Sequence, residues 1–240
     1  MTYEPEKIHS VMLKLSGEAL AGSRGFGYDD DVIDTLTEEI ISLKRLGYSL
    51  AIVLGGGNIF RGGTWKNKSL NRVTLDEIGM LATVQNALYL SEILKAKNYP
   101  SEVFSSQNLD RICSHYSPRK ASLALAAGKI CFLSGGTGNP FFTTDTAAVL
   151  RAVELRLDLV LKGTNVDGLY SSDPRKDSKA KLISSASYDD CLEQKLGVMD
   201  MTAFALARDN SLPIKIFNVS KPGTLCEAVT SAGCGSYIHP

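Results

Sequence analysis

Leu50-Ala51-Ile52-Val53-Leu54-Gly55-Gly56-Gly57-Asn58 is an apolar run of strand length that ends in three consecutive glycines. Two other stretches repeat the arrangement. Val11-Met12-Leu13-Lys14-Leu15 runs into Ser16-Gly17-Glu18, and Ile130-Cys131-Phe132-Leu133 runs into Ser134-Gly135-Gly136-Thr137-Gly138-Asn139-Pro140. Each leads on into a helix-like pattern. Turns of this kind bring bare backbone N–H groups and a helix N-terminus to one point, which favours phosphate oxygens. One such turn suggests one nucleotide. Three in 240 residues suggest two phosphorylated ligands meeting in one cleft, and therefore phosphoryl transfer.

Outward from these turns, strand-like and helix-like segments alternate along the whole chain. That is the signature of an α/β fold, a three-layer sandwich with a mainly parallel central sheet and helices on both faces. Val32, Ile33, Leu36, Ile40, Leu43 and Leu46 recur at helical spacing, with Gly47 placed to cap the end. Thr74-Leu75-Asp76-Glu77 reads as a capping box opening a long helix through Ile93 and Leu94. That helix is apolar nearly all round, so it is expected to be buried, with a subunit contact on its surplus face. A short strand is expected near Val103-Phe104, then a helix capped by Ser117 with Pro118 in its first turn and ended by Gly128. A helix over about Asp145–Leu155 and a strand at Leu159–Lys162 follow. Gly163–Tyr170 reads as a hairpin and Ser171–Lys176 as a polar loop. Short helices around Tyr188–Leu196 and Thr202–Arg208, a strand at Ile214–Phe217, a helix around Leu225–Val229 and a strand at Tyr237-Ile238 complete the pattern. No linker or repeat interrupts it. The expectation is a single domain, residues 1–240, with an N-terminal lobe over about 8–156 and a C-terminal lobe over about 157–240.

Composition narrows the function classes. Lys plus Arg and Asp plus Glu are 26 each, which argues against a generic nucleic-acid or anionic-membrane surface. The five cysteines are never spaced C-x-x-C and the three histidines are scattered, so reduced thiols are expected and a zinc site is not. The polar, acidic start does not read as a signal peptide, and no apolar run reaches membrane-span length. A cytoplasmic protein is expected.

Lys14 stands between apolar neighbours at a strand end. It either snorkels to the surface or offers a cation to a transferring phosphoryl group. Gly55-Gly56-Gly57 leaves room for a ligand's close approach, and Arg61, one turn on, either forks onto the same phosphate or is a solvated surface arginine. There is no G-x-x-x-x-G-K-[ST] P-loop. The runs at Gly55 and Gly136 carry Phe60 and Phe141 where a dinucleotide fingerprint needs its third glycine. Thr137-Gly138-Asn139-Pro140-Phe141-Phe142-Thr143-Thr144-Asp145 combines backbone donors, two aromatic rings, hydroxyls and a carboxylate. Its plainer reading is a loop with Thr144 or Asp145 as helix cap. Asp76 and Asp200 likewise have a plain reading as first-turn helix acids.

Lys14–Glu18, Gly55–Gly62, Gly138–Asp145 and Val166-Asp167-Gly168 together resemble the bacterial uridylate (UMP) kinases of the amino acid kinase superfamily. The likeness runs from about Val11 to Pro222 and includes Val198-Met199-Asp200 and Leu212-Pro213-Ile214. It implies phosphoryl transfer from MgATP to UMP in pyrimidine nucleotide synthesis, by in-line transfer without a general base. It also implies that Lys14, Leu15, Ser16, Gly17, Gly57, Arg61, Thr164, Asn165, Tyr170 and Asp173 bind ATP, with Tyr170 against the base. Gly56, Asp76, Thr137, Gly138, Asn139, Pro140, Phe141, Phe142, Thr143 and Thr144 would hold UMP, with Asp76 on the ribose hydroxyls. Lys14, Arg61, Asp145 and Asp200 form the implied catalytic set, the two aspartates orienting the cationic groups, with Mg²⁺ carried mainly by ATP and no dedicated protein metal site. Asn165 departs from the lysine of many relatives.

The resemblance further implies a homohexamer inhibited by UTP. Ser91, Glu102 and Lys129 stand where GTP-responsive relatives place arginines, so weak or absent GTP activation is expected. The competing readings are a superfamily kinase acting on a carboxylate or carbamate, and a nucleotide sensor without turnover. Neither accounts as well for Asp76 with the aromatic loop, or for Lys14 with Arg61.

Overall fold

The computed structural model describes residues 2–61, 69–194, 196–197 and 199–240; Gly62 and Val198, quoted above, lie outside the described residues. In chain order the strands are β1 (Ser10–Leu15), β2 (Ser49–Leu54), β3 (Ser101–Ser105), β4 (Ser114–His115), β5 (Ile130–Ser134), β6 (Leu159–Thr164), β7 (Leu169–Tyr170), β8 (Leu182–Ile183), β9 (Ser185–Ser187), β10 (Ile214–Asn218) and β11 (Ser236–His239). The helices are α1 (Glu18–Ala21), α2 (Asp30–Arg45), α3 (Arg72–Ala96), α4 (Pro118–Ala126), α5 (Thr144–Leu155), α6 (Tyr188–Glu193), α7 (Met201–Asp209) and α8 (Thr224–Thr230).

Nine of the described strands form one sheet in the order β4-β3-β5-β2-β1-β6-β10-β11-β9. Pairing is parallel except between β10 and β11. The two-residue period of the strands sorts their side chains between the faces. Val11, Leu13 and Leu15 of β1 join one core cluster with residues of α2, α3 and α8. Met12 joins the other, with residues of α4, α5, α6 and α7. Lys14 follows Met12 by two, so it emerges on the α5 face. Lys162 follows Val160 by two and emerges on that face as well.

Several expectations need correction. The long helix starts at Arg72, not Thr74, because Asn71 caps it by accepting from the Val73 N–H at 2.8 Å. Asp76 therefore sits in the second turn and is not a first-turn acid. Thr143, not Thr144 or Asp145, caps α5, its Oγ1 accepting from the N–H groups of Asp145 and Thr146 at 3.1 and 3.2 Å. Gly163–Tyr170 is not a closed hairpin: β6 runs through Gly163 to Thr164, and Leu169–Tyr170 pairs with Leu182–Ile183 across the polar loop. The three short strands β4, β8 and β9 carry too little apolar pattern to be seen in the sequence.

Candidate active site

Parallel strands deliver their C-terminal ends to one edge of the sheet, and the site is built there. Register pairs Lys14 directly with Lys162. Two ammonium groups side by side repel, and α5 supplies the answer from its first turn. Asp145 Oδ2 accepts from Lys162 Nζ at 2.6 Å, and Oδ1 lies 2.6 Å from Lys14 Nζ as an ion pair without hydrogen-bond alignment. Burial alone would raise the Asp145 carboxyl, but the two cations outweigh it and hold the group below the ordinary carboxylate range. Burial pushes the Lys162 ammonium down, with Asp145 opposing it. The result is a desolvated bracket of two positive charges around one negative, a net cation with field to spare for an anionic ligand.

The glycine turns crowd against this bracket. A Cβ on Gly17 would lie 2.5 Å from Asn58 Oδ1 and 2.6 Å from the Gly57 nitrogen, so the first turn touches the second only because residue 17 is glycine. Gly56 packs equally close on α3, where a Cβ would meet Ala82 and the Gly79 carbonyl at 2.8 Å. The third turn is tied to the same helix by the Gly135 N–H donating to Thr83 Oγ1 at 2.8 Å. Arg61 is exposed, donates to the Gly57 carbonyl at 2.9 Å and pairs with Glu18 at 3.0 Å. Ser16 Oγ accepts from the Ala19 N–H and starts α1. Leu15 differs from its neighbours: its side chain is fully buried in the opposite core cluster, so only its backbone faces this edge.

Two cavities open beside the bracket. One of about 380 Å³ contains Lys162 and is lined by Thr164, Tyr170, Asp173 and Arg175 among others. Thr164 Oγ1 donates to the carbonyls of Val166 and Phe217, and Asn165 lies just outside, accepting from Ser220 Oγ at 3.4 Å. Asp173 is held by Arg175. The other cavity, about 180 Å³, is lined by Gly56, Asp76, Met80, Gly136, Asn139 and Phe142 with Thr144. A larger cavity of about 410 Å³ lies between α1, α2 and the segment after β10, but no charged group of the bracket lines it.

The Thr137–Thr144 loop is pinned at three points. Arg151 of α5, buried among Glu154 and the Tyr116 ring, donates to the Thr137 carbonyl at 3.3 Å. Asp76 accepts from the Phe141 N–H at 2.8 Å and from Arg72 at 2.7 Å. Asp200, the cap of α7, accepts from the hydroxyls of Thr143 and Thr146. Its contribution to Lys162 is through space, so its contacts orient the loop and α5 more directly than the lysines. Gly138 and Phe141 both take positive φ, 87° and 72°. Phe141 is the costly one, a bulky residue held in the left-handed region by Asp76, with its ring beside Arg72. Pro140 is half-buried and Phe141 exposed, and Phe142 and Asn139, themselves partly open to solvent, reach the cavity.

Residues 10–218 match the Amino acid kinase family. The chain belongs to the amino acid kinase family. The family's relatives include the uridylate kinase of Stutzerimonas stutzeri, 47% identical over 95% of this chain and 93% of that protein. The uridylate kinase of Pseudomonas aeruginosa is 46% identical over 95% and 94%. Among solved structures, the UMP kinase of Bacillus anthracis superposes with a TM-score of 0.92 at 37% identity, covering 96% of this chain and 95% of that one. The mainly parallel α/β sandwich expected from the alternation of elements, and the amino acid kinase fold implied by the resemblance, are what is observed.

Three site residues escaped sequence reasoning: Lys162, Arg151 and Arg72. Lys162 carried a visible signal, since it ends an apolar strand just as Lys14 nearly does, but Gly163-Thr164 after it is not a glycine-rich turn. Arg151 and Arg72 look like ordinary helix arginines until the loop is folded against them.

Proposed function

We propose that the chain transfers the γ-phosphoryl group of ATP to UMP, giving ADP and UDP in pyrimidine nucleotide synthesis. One observation carries this reading: the buried Lys14–Asp145–Lys162 bracket stands where the glycine turns meet, with a cavity on either side. The acceptor is itself a phosphate oxygen, so no general base is required, and catalysis is positioning plus charge neutralisation. ATP occupies the cavity of about 380 Å³ in the C-terminal lobe (about 157–240), its adenosine against Tyr170, Thr164 and Asp173, its phosphates over Ser16, Gly17 and Lys14. UMP occupies the smaller cavity of the N-terminal lobe (about 8–156), its ribose on Asp76 and its phosphate by Gly56, with Gly57 and Arg61 beside the transferring group of ATP. Both Asp145 oxygens already face lysines, and among the described residues no acidic or histidine cluster could hold a metal. Mg²⁺ brought in with ATP would supply further charge neutralisation at the phosphates, beside Lys14 and Arg61.

The same reading includes cytoplasmic location, UTP inhibition by occupancy of the UMP cavity, and a homohexamer. The assembly is supported by Ile78, Leu81 and Tyr89 of α3, which remain 40%, 45% and 36% exposed. No described helix is long and apolar enough to cross a membrane.

The test is ADP release with UMP, CMP and acetylglutamate as acceptors. UMP should be strongly preferred, because uracil and cytosine present opposite donor and acceptor patterns and a built site leaves polar groups unpaired with the wrong one. Equal kcat/KM for UMP and CMP, or a faster reaction with acetylglutamate, overturns the assignment.

A further inference from the structure

Beneath the contact between the first and second glycine turns lie two asparagine side chains with no exposed surface at all, Asn58 and Asn86. Their amides are reciprocal. Asn86 Nδ2 donates to Asn58 Oδ1 at 2.7 Å, and Asn58 Nδ2 donates to Asn86 Oδ1 at 3.1 Å. The remaining N–H of Asn86 goes to the Gly55 carbonyl at 2.7 Å, and that of Asn58 to the Gly27 carbonyl at 2.9 Å. The Gly27 N–H returns to the Asn58 carbonyl at 2.8 Å. All four side-chain N–H groups are therefore used: three bonds join α3 to the turn that runs from Gly55 to Asn58, and the fourth ties that turn to the Gly27 loop. Asn58 Oδ1 is also the atom against which Gly17 is seated.

We propose that the Asn58–Asn86 pair is the positioning element that fixes the distance between the donor-phosphate turn at Gly17 and the acceptor-phosphate turn at Gly55–Gly57. The inference rests on assigning those two turns to the two nucleotides. Neither asparagine touches a ligand. A fully buried amide pair is costly unless every group is satisfied, and satisfied it admits one arrangement only. Two carboxylates have no N–H to give, and two leucines leave the Gly55 and Gly27 carbonyls unpaired. In-line transfer depends on the separation of attacking oxygen and phosphorus, and a misplacement of about 1 Å can cost on the order of 10²-fold in rate. A rigid floor under both turns provides that separation before either nucleotide arrives.

The test uses the full-length protein with Mg²⁺, ATP and UMP. Asn86→Asp keeps the shape and removes both donors. Asn86→Ser is the milder variant should the first fail to fold. Leu43→Ala, a cavity variant in the α2 core away from the turns, matches the loss of stability. The expected result for either Asn86 variant is a kcat per folded site roughly ten- to hundredfold down with both KM values nearly unchanged, while Leu43→Ala keeps its kcat. A kcat no lower than that of Leu43→Ala, or a change confined to one KM, overturns the proposal. A crystal structure of the variant then separates the two ways of failing. Turns that have not moved refute the positioning role, whereas displaced turns with intact kcat refute their assignment to the two phosphates.

Discussion

A lysine in the middle of a sheet survives only if something else in the fold needs its charge. Lys14 and Lys162 share one carboxylate, and removing that carboxylate leaves two buried like charges facing each other. Asp145→Asn should therefore both slow the reaction and destabilise the fold, by about 3–5 kcal/mol as for other broken buried pairs; thermal unfolding with and without nucleotide measures it. The sign with pH follows from the depressed Asp145 carboxyl. Its stabilisation is complete above the unfolded value of about 3.9 and is lost as pH falls through the lower folded value. Lys14→Ala should lower kcat by roughly 10²–10³-fold with a smaller change in UMP affinity, and a variant that keeps most of its activity returns Lys14 to a packing role. Lys215 presents the opposite case. It is wholly buried on the other face, donates to the Ser231 carbonyl and lies 3.7 Å from the centre of the Tyr3 ring. Burial lowers its ammonium to about 8. Since the folded chain binds that proton less tightly than the unfolded one, wild-type stability relative to Lys215→Met should rise between about pH 8 and 10.5 and be flat below. Unfolding midpoints across that range decide it.

At the scale of elements, the acceptor loop is a strained segment held by three helices: α3 through Asp76, α5 through Arg151 and α7 through Asp200. Asp76→Ala removes a clamp on Phe141 and, on the proposed reading, the ribose partner with it. It should weaken UMP about ten- to hundredfold, the worth of hydrogen bonds to a charged group, and narrow discrimination against dUMP. If the wild type treats UMP and dUMP alike, Asp76 only holds Phe141. Arg151→Lys keeps the charge beside Glu154 but loses the planar fork, so KM for UMP should rise roughly tenfold while KM for ATP stays put. What the sequence made legible divides at this scale. Strands and glycine turns were readable because an apolar run ending in glycine has few other uses. The caps of α3 and α5 were not, because Asn71, Thr74, Thr143, Thr144 and Asp145 are all chemically able to cap and only the path of the chain chooses. Lys14 stood out locally, but its pairing with Lys162 exists only once β1 and β6 lie in register.

For the whole molecule, the surplus apolar face of α3 sets the expectation of assembly, and light scattering that returns a monomer removes it. Regulation follows from charge. Ser91 is buried and shares a hydrogen bond with Ser101, and Lys129 is paired with Glu102 at 2.9 Å. The cation expected to greet a triphosphate is thus already neutralised by its neighbour, so GTP should activate weakly or not at all. A several-fold activation by GTP contradicts that placement.

The position of β1 also bears on how the molecule comes into being. β1 precedes the other described strands of its sheet along the chain, yet it is a central one: Val11 pairs with Leu50 on one side and with Leu159 on the other. A nascent chain leaving the ribosome can complete β4-β3-β5-β2-β1 while the far edge of β1 still waits for β6. During that interval a row of unpaired backbone groups, flanked by apolar side chains, is open to any other extended chain. Asp145 and Lys14 are present by then but Lys162 is not, so the charge balance of the centre is completed in the same step that closes this edge. Balancing of the central charges and closure of this edge of β1 are one event, and the yield of the protein in a cell should depend on how well that half-made sheet is shielded until β6 emerges.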